Sequence, residues 1–222
     1  MEAFEVIRKD LGTGKHSRVS LVRYPDQTLW VWKCPADDSK AHQMSFRKEM
    51  ERAKVWRQLQ LSNVEVRWHE DKRSLLRTYV QGVLAADRIQ SREFWTDETC
   101  AAERRALAHL ILCAAQQRAY VSDLNPQNLI FDGCRWQVID SGSIRFTECP
   151  EATLKKYRRI LMKNWSSRIH PATHTFLRDF LQALTLQDHD QAHRIGSKPR
   201  ARAGRVAPEA IRSMLGWAGI WS

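Results

Sequence analysis

Tyr120-Val121-Ser122-Asp123-Leu124-Asn125-Pro126-Gln127-Asn128-Leu129-Ile130-Phe131, followed by Trp136-Gln137-Val138-Ile139-Asp140-Ser141-Gly142, is the stretch that decides how this chain is read. Asp123 and Asn128 stand five residues apart on a loop that Pro126 enforces. A short apolar run and a turn at Gly133 lead into a second apolar run that ends in Asp-x-Gly. Asp, Asn and Gly recur at turns for purely local reasons, and either aspartate taken alone is explained that way. Together, in this order and between two apolar runs, they fit phosphoryl transfer. One carboxylate orients an attacking hydroxyl there, while an amide oxygen and a second carboxylate hold Mg²⁺ on the phosphates.

The two motifs resemble H-R-D-L-x-x-x-N and D-F-G of the protein kinases. The resemblance implies that Asp123 is the catalytic carboxylate and that Asn128 and Asp140 are the metal ligands. Val121 and Ser122 stand where that family has His and Arg. Asn125 stands where its Ser/Thr members usually have Lys, and Ser141 replaces the Phe.

Upstream, residues 6–33 predict a three-strand meander, with strands at 6–9, 20–24 and 28–34 and a Pro25-Asp26 turn. Between the first two strands, Leu11-Gly12-Thr13-Gly14-Lys15-His16-Ser17-Arg18-Val19 follows G-x-G-x-x-G-x-V, with Ser17 in the third glycine position. Glycines without Cβ let backbone N–H groups approach phosphate oxygens, so Gly12, Thr13, Gly14, Ser17 and Val19 are candidate nucleotide contacts. Alone, this is a hairpin. Lys33 raises its weight, because Trp30-Val31-Trp32-Lys33 resembles the V-A-I-K strand whose Lys pairs with the α- and β-phosphates. Without its neighbours Lys33 reads as a solvated strand-end lysine.

Residues 41–60 predict a helix, since Phe46, Met50, Ala53, Trp56 and Leu59 recur at three and four residues. Glu49 lies at the edge of that apolar face and is the expected partner of Lys33, with Glu51 in reserve. Strands at 64–68 and 74–80 flank a polar turn, Glu70-Asp71-Lys72-Arg73. Thr78, Tyr79 and Val80, leading into Gln81-Gly82, resemble the kinase hinge, where backbone groups meet the adenine edge. That places a lobe boundary at about Gln81.

Beyond it the pattern turns helical. A helix at 99–118 buries Leu107, Leu110, Ile111 and Ala114 and delivers the chain to the Asp123 loop. After Gly142, Cys149-Pro150-Glu151 resembles A-P-E weakly and arrives within a few residues, so a long activation segment is missing. Helices follow at 154–165 and 175–186. His170 with His174, and His189 with His193, have the i, i+4 spacing of a helical metal pair, but no acidic residue or Cys is placed to complete either. Residues 197–205 form a basic linker expected to be mobile. The segment 208–222 carries Met214, Leu215, Trp217, Ala218 and Trp221, which suit docking back on the domain or contact with a membrane surface or partner.

Composition sets the limits. A chain of 222 residues with 43% apolar residues can bury a core as one large domain or two small lobes. Its start lacks a basic segment followed by an apolar one, and no uncharged run is long enough to span a bilayer, so a soluble cytoplasmic protein without a transmembrane segment is expected. Five scattered cysteines with no C-x-x-C point to free thiols. A formal net charge of +11 favours anionic partners, without a specific nucleic-acid motif.

The expected architecture is α+β, a two-lobed protein-kinase-like fold. It comprises an antiparallel-sheet lobe with one helix at 1–81, a reduced helical lobe at 82–195, and a basic linker with a short helix at 196–222. The chain is similar to small atypical bacterial kinases: the lipopolysaccharide-core kinases, the small PhoP-network kinase-like proteins and the minimal secreted effector kinases. That resemblance implies ATP and Mg²⁺. It leaves three functions open: a Ser/Thr protein kinase first, a lipopolysaccharide-core sugar kinase second, and a non-catalytic nucleotide-binding pseudokinase third. It also leaves open a peripheral place at the inner membrane or secretion as an effector.

Overall fold

The computed structural model describes residues 4–14, 17–37, 39–166, 169 and 174–193. The basic linker, the segment 208–222 and His170 lie outside the described residues, as do the side chains of His189 and His193. The fold is mixed α+β, with an antiparallel sheet and several helices. Two compact units are present, Met1–Gln81 with Gln137–Ile144 and Gly82–Trp136 with Arg145–Ser222.

In the first unit β1 (Glu5–Gly14), β2 (Ser17–Arg23), β3 (Leu29–Pro35), β4 (Val66–Trp68) and β5 (Leu75–Thr78) form a five-stranded antiparallel sheet in the order β1-β2-β3-β5-β4. Helix α1 (Lys40–Gln58) starts at Ser39, whose side chain accepts the His42 N–H. Successive strand residues face opposite sides of a sheet, so Leu75 and Leu76 anchor different cores. Leu75 joins Phe46 and Ala53 of α1 with Val64 and Val66, while Leu76 joins Val22 and Tyr24, covered by Phe4, Trp30 and Trp32. The strands run further into the glycine hairpin than the apolar pattern indicates, pairing Gly12 with Val19 and Gly14 with Ser17. Two register irregularities along β1 let it bend and carry the pairing that far.

Residues Gln137–Ile144 group with this unit, whereas the sequence reading set them within 82–195. The cause is polar satisfaction. Buried Gln137 accepts the Ser62 hydroxyl (3.0 Å) and the Asn63 N–H (3.1 Å) on its Oε1, and the Arg77 guanidinium donates to the Ile139 carbonyl.

The second unit begins with β6 (Val83–Leu84), α2 (Ala85–Arg88) and α3 (Arg92–Thr96). It continues through α4 (Ala101–Gln116), β7 (Ala119–Val121) and β8 (Leu129–Phe131). After β9 (Trp136–Val138), which starts in this unit, come β10 (Ile144–Phe146), α5 (Pro150–Ser166) and α6 (His174–His193). Leu107 and Ile111 of α4, Leu161 and Trp165 of α5 and Leu177 of α6 are fully buried. The indoles of Trp136 and Trp165 donate to the carbonyls of Glu103 (2.7 Å) and Leu124 (2.9 Å), so each large side chain fixes a stretch of backbone as well as filling volume. Gly82 opens the unit where β6 runs against β8, and a Cβ there would lie 2.1 Å from the Phe131 carbonyl oxygen. Only glycine fits. Among the described residues no helix is long and apolar enough to cross a membrane, and all five cysteines are free.

Candidate functional site

In the first unit the pairing of β2, β3 and β5 sets Lys33 between Val19 and Leu75, on the side of the sheet that α1 covers. The phase of α1 then decides its partner. Glu49 shares the buried side with Phe46, Ala53 and Trp56, whereas Glu51 is exposed. Lys33 Nζ lies 2.6 Å from Glu49 Oε2 and 3.9 Å from Asp140 Oδ2, and 5.7 Å from the centre of the Phe46 ring. One ammonium thus serves two carboxylates in different surroundings. Glu49 is buried, and burial pushes its carboxyl above the ordinary value, opposed chiefly by Lys33. The Asp140 side chain is 42% exposed and keeps an open face.

The Asp140-Ser141-Gly142 segment is pinned from several directions. Its own turn is closed by the Gly142 N–H donating to Asp140 Oδ1 at 3.1 Å. Ser141 is buried, and its hydroxyl donates to the Glu49 carbonyl at 3.4 Å. Arg52 donates to the Gly142 carbonyl and Arg77 to the Ile139 carbonyl. Burial lowers the pKa of Arg77, and Glu49 and Asp140 oppose the shift, so it remains a cation among carboxylates.

Sequence reasoning missed both arginines, though a signal existed for each. Arg52 follows Glu49 by three residues, one helical turn on the same side. Arg77 lies two residues after Leu75 and so shares the side of β5 that faces α1, opposite Val31 and Val66.

The predicted nucleotide contacts fare unevenly. Gly12 and Gly14 lie in β1 beside Val19 and Ser17, and Ser17 is buried. The backbone of Thr13 pairs with Arg18. The backbone N–H groups of Thr78 and Tyr79 are engaged within the sheet. The Thr78 N–H donates to the Glu65 carbonyl (3.0 Å) and the Tyr79 N–H to the Leu29 carbonyl (3.3 Å), because β5 is still satisfying its sheet at these positions. Val80 packs against the α1 core.

In the second unit, β7 delivers the chain to an exposed Asp123. The Asn125 side chain donates to Asp123 Oδ1 at 2.5 Å and the Asn125 N–H to the Asp123 carbonyl at 2.8 Å. The Asn128 amide nitrogen donates to the same carbonyl at 3.3 Å, which leaves its amide oxygen for a cation. Pro126 opens the single turn Pro126–Asn128, and buried Leu124 and Leu129 hold the loop at either end. Asn125, noted in the sequence only as a departure from Lys, orients the carboxylate.

No cluster of three or more His, Cys, Asp or Glu occurs among the described residues. The ring of His174 sits 2.8 Å from the Ser166 carbonyl and is engaged structurally. No family model matches the chain, and no curated protein does.

Proposed function

We propose that the protein is an ATP-dependent phosphotransferase of protein-kinase-like fold that moves a γ-phosphate to a hydroxyl, with a protein Ser or Thr as the leading acceptor. The observation that carries this reading is Lys33, bound at 2.6 Å to buried Glu49 and 3.9 Å from half-exposed Asp140. A purely structural ion pair needs one carboxylate. A second, open carboxylate beside the same ammonium suits a polyanion held with its counter-cation.

In this reading Mg²⁺ would neutralise charge on the phosphates as it builds up. Lys33, fixed by Glu49, positions the α- and β-phosphates, and Gly12 to Ser17 cover them. Asp140 and Asn128 each present one oxygen suited to the metal. Asp123, held by Asn125, accepts the proton of the attacking hydroxyl or orients it.

A sugar hydroxyl, as in a lipopolysaccharide core, is the second acceptor. It is favoured by the short run between Gly142 and α5, whose Thr147 hydroxyl is tied to Cys149 and Thr153, leaving little chain to dock an extended peptide.

Incubation of the purified chain with γ-labelled ATP and Mg²⁺, alone, with a basic protein and with purified lipopolysaccharide, tests the reading. Label on protein supports the first acceptor and label on lipopolysaccharide the second. Nucleotide binding with no transfer to any acceptor would leave a pseudokinase.

A further inference from the structure

Helix α5 carries a strongly basic exposed surface. Lys155, Lys156, Arg158, Arg159 and Lys163 are all exposed, and Glu151 is the helix's one acidic residue. No ion pair is made by any of the five among the described residues. Lys155, Arg159 and Lys163 follow at i, i+4 and i+8, so they form a ridge along one side with a rise of about 6 Å per step. Like charges at that spacing destabilise a helix, whereas a face meant only for water interleaves the signs. Helix α1 does so: Glu51 sits among its exposed Arg47, Lys48 and Lys54. At four-residue spacing α1 has one like-charged step, Lys48 to Arg52, whereas α5 has two in succession, Lys155 to Arg159 to Lys163.

We infer that the exposed face of α5 is a docking surface for an anionic lipid bilayer. The opposite side of the helix is committed to the core through Tyr157, Leu161 and Trp165, so α5 can lie against a surface but cannot enter one. Glu151 opens this row at its N-terminal end; from Lys155 onward the row is basic at every step and faces outward, which complements a plane of phosphate headgroups, and each Lys or Arg held near such a plane adds attraction. Phe146, 58% exposed four residues before the helix begins, adds an apolar ring of the kind that settles at headgroup depth. Further on, the sequence supplies a second cluster, Lys198, Arg200, Arg202 and Arg205, without an acid among them. Single-stranded nucleic acid fits less well, because its sites interleave cations with stacking rings. The exposed face of α5 has none.

The inference does not depend on catalysis and is tested without it. The full chain is sedimented with vesicles of phosphatidylcholine alone and of phosphatidylcholine mixed with phosphatidylglycerol. Two triple variants of identical net charge are compared: Lys155→Glu, Arg159→Glu, Lys163→Glu on α5, and Arg47→Glu, Lys48→Glu, Lys54→Glu on α1. The native chain is expected to partition onto the mixed vesicles only. The α5 variant should lose about tenfold or more of that partition and the α1 variant less than about threefold. Should the α5 variant not fold, by circular dichroism, the corresponding Gln substitutions replace it, with the same ordering expected. Equal losses on the two helices, or equal binding to both kinds of vesicle, would overturn the inference. So would an oligonucleotide that binds through α5 more tightly than the vesicles do.

Discussion

The segment 139–142 in the first unit and the loop 123–128 in the second carry the three acidic and amide groups most suited to chemistry, yet they are built on opposite principles. The first is held from outside: Arg77, Arg52 and Ser141 fix its backbone, and beside it a buried carboxylate is balanced by Lys33. The second holds itself through bonds among Asp123, Asn125 and Asn128, with Asp123 exposed. The difference lies in solvation. A charge removed in the first region leaves a buried partner uncompensated, whereas a charge removed in the second is replaced by water.

The largest effects should fall on transfer itself. Asp140→Ala and Asp123→Ala are each expected to lower the transfer rate by about a hundredfold or more, with melting temperatures close to that of the native chain because both side chains reach solvent. Nucleotide binding should separate the pair: Asp140→Ala loses its Mg²⁺-dependent affinity, and Asp123→Ala keeps it. Normal activity in Asp140→Ala would remove the metal assignment.

Next comes the one ion pair whose loss should harm both folding and function. Lys33→Met should abolish most activity and cost about 3 kcal/mol, since it strands Glu49 in the core. The pH dependence gives the cause away. Burial already raises the Glu49 pKa, and removing Lys33, its main opposing influence, raises it further. A carboxyl with a folded pKa above its unfolded value binds a proton more readily in the folded state. The variant should therefore regain stability as pH falls from 7 toward the unfolded glutamate value, and lose it as pH rises. Adding Glu49→Gln to Lys33→Met should recover melting temperature without recovering activity, while Glu51→Gln alone should be nearly silent. Thermal unfolding across pH checks all of this, and a Lys33→Met deficit that is the same at pH 5 and pH 7 would exclude Glu49 as the stranded charge.

Why Glu49 was legible and Arg77 was not follows from the same contrast. Helix α1 has a long apolar period, so its phase, and with it the choice between Glu49 and Glu51, can be read from Phe46, Ala53 and Trp56. The sheet was legible for the same reason, through alternation in β3 and β5. The two-to-five-residue elements β6, α2 and α3 were missed because no period develops over so few residues. The partners of the Thr78 and Tyr79 N–H groups were not legible, because a strand's last ladder bonds depend on its neighbour, here Glu65 and Leu29, and not on its own residues. Arg52, Arg77 and Ser141 act on main-chain carbonyls, which are identical in every residue, so the sequence shows on which side Arg52 and Arg77 lie but not what they bind.

Smaller effects should tell the two kinds of support apart. Arg52→Ala removes a donor to the Gly142 carbonyl, and about 1 kcal/mol of positioning lost there should appear as roughly fivefold weaker Mg²⁺-dependent nucleotide binding. Asn125→Ala frees one oxygen of Asp123 and should slow turnover by a similar factor with nucleotide affinity unchanged. If Asn125→Ala instead weakened nucleotide binding, the loop would be part of the phosphate-holding machinery and the contrast between the two regions would fail.

The smallest effect expected is none, on phosphorylation. Many protein kinases pair an Arg before the catalytic Asp with a phosphate on the activation segment, which orders that segment; here the position is Ser122, which carries no charge. Thr147 is poorly placed to receive a phosphate, since its hydroxyl already contacts Thr153 Oγ1 and donates to the Cys149 carbonyl at 3.0 Å. Nor is there much segment left to order. The Thr147 N–H is bound to the Arg118 carbonyl at 2.9 Å, and α5 starts at Pro150. Arg145 lies on the very segment that would be ordered, so it cannot anchor that segment to the Asp123 loop. If the proposed transfer holds, phosphatase-treated protein and a Ser143→Ala variant should therefore show the initial rate of the untreated protein with whichever acceptor is competent. A loss of tenfold, about 1.4 kcal/mol in the barrier, would mean that a phosphate supplies order which the protein's own hydrogen bonds do not.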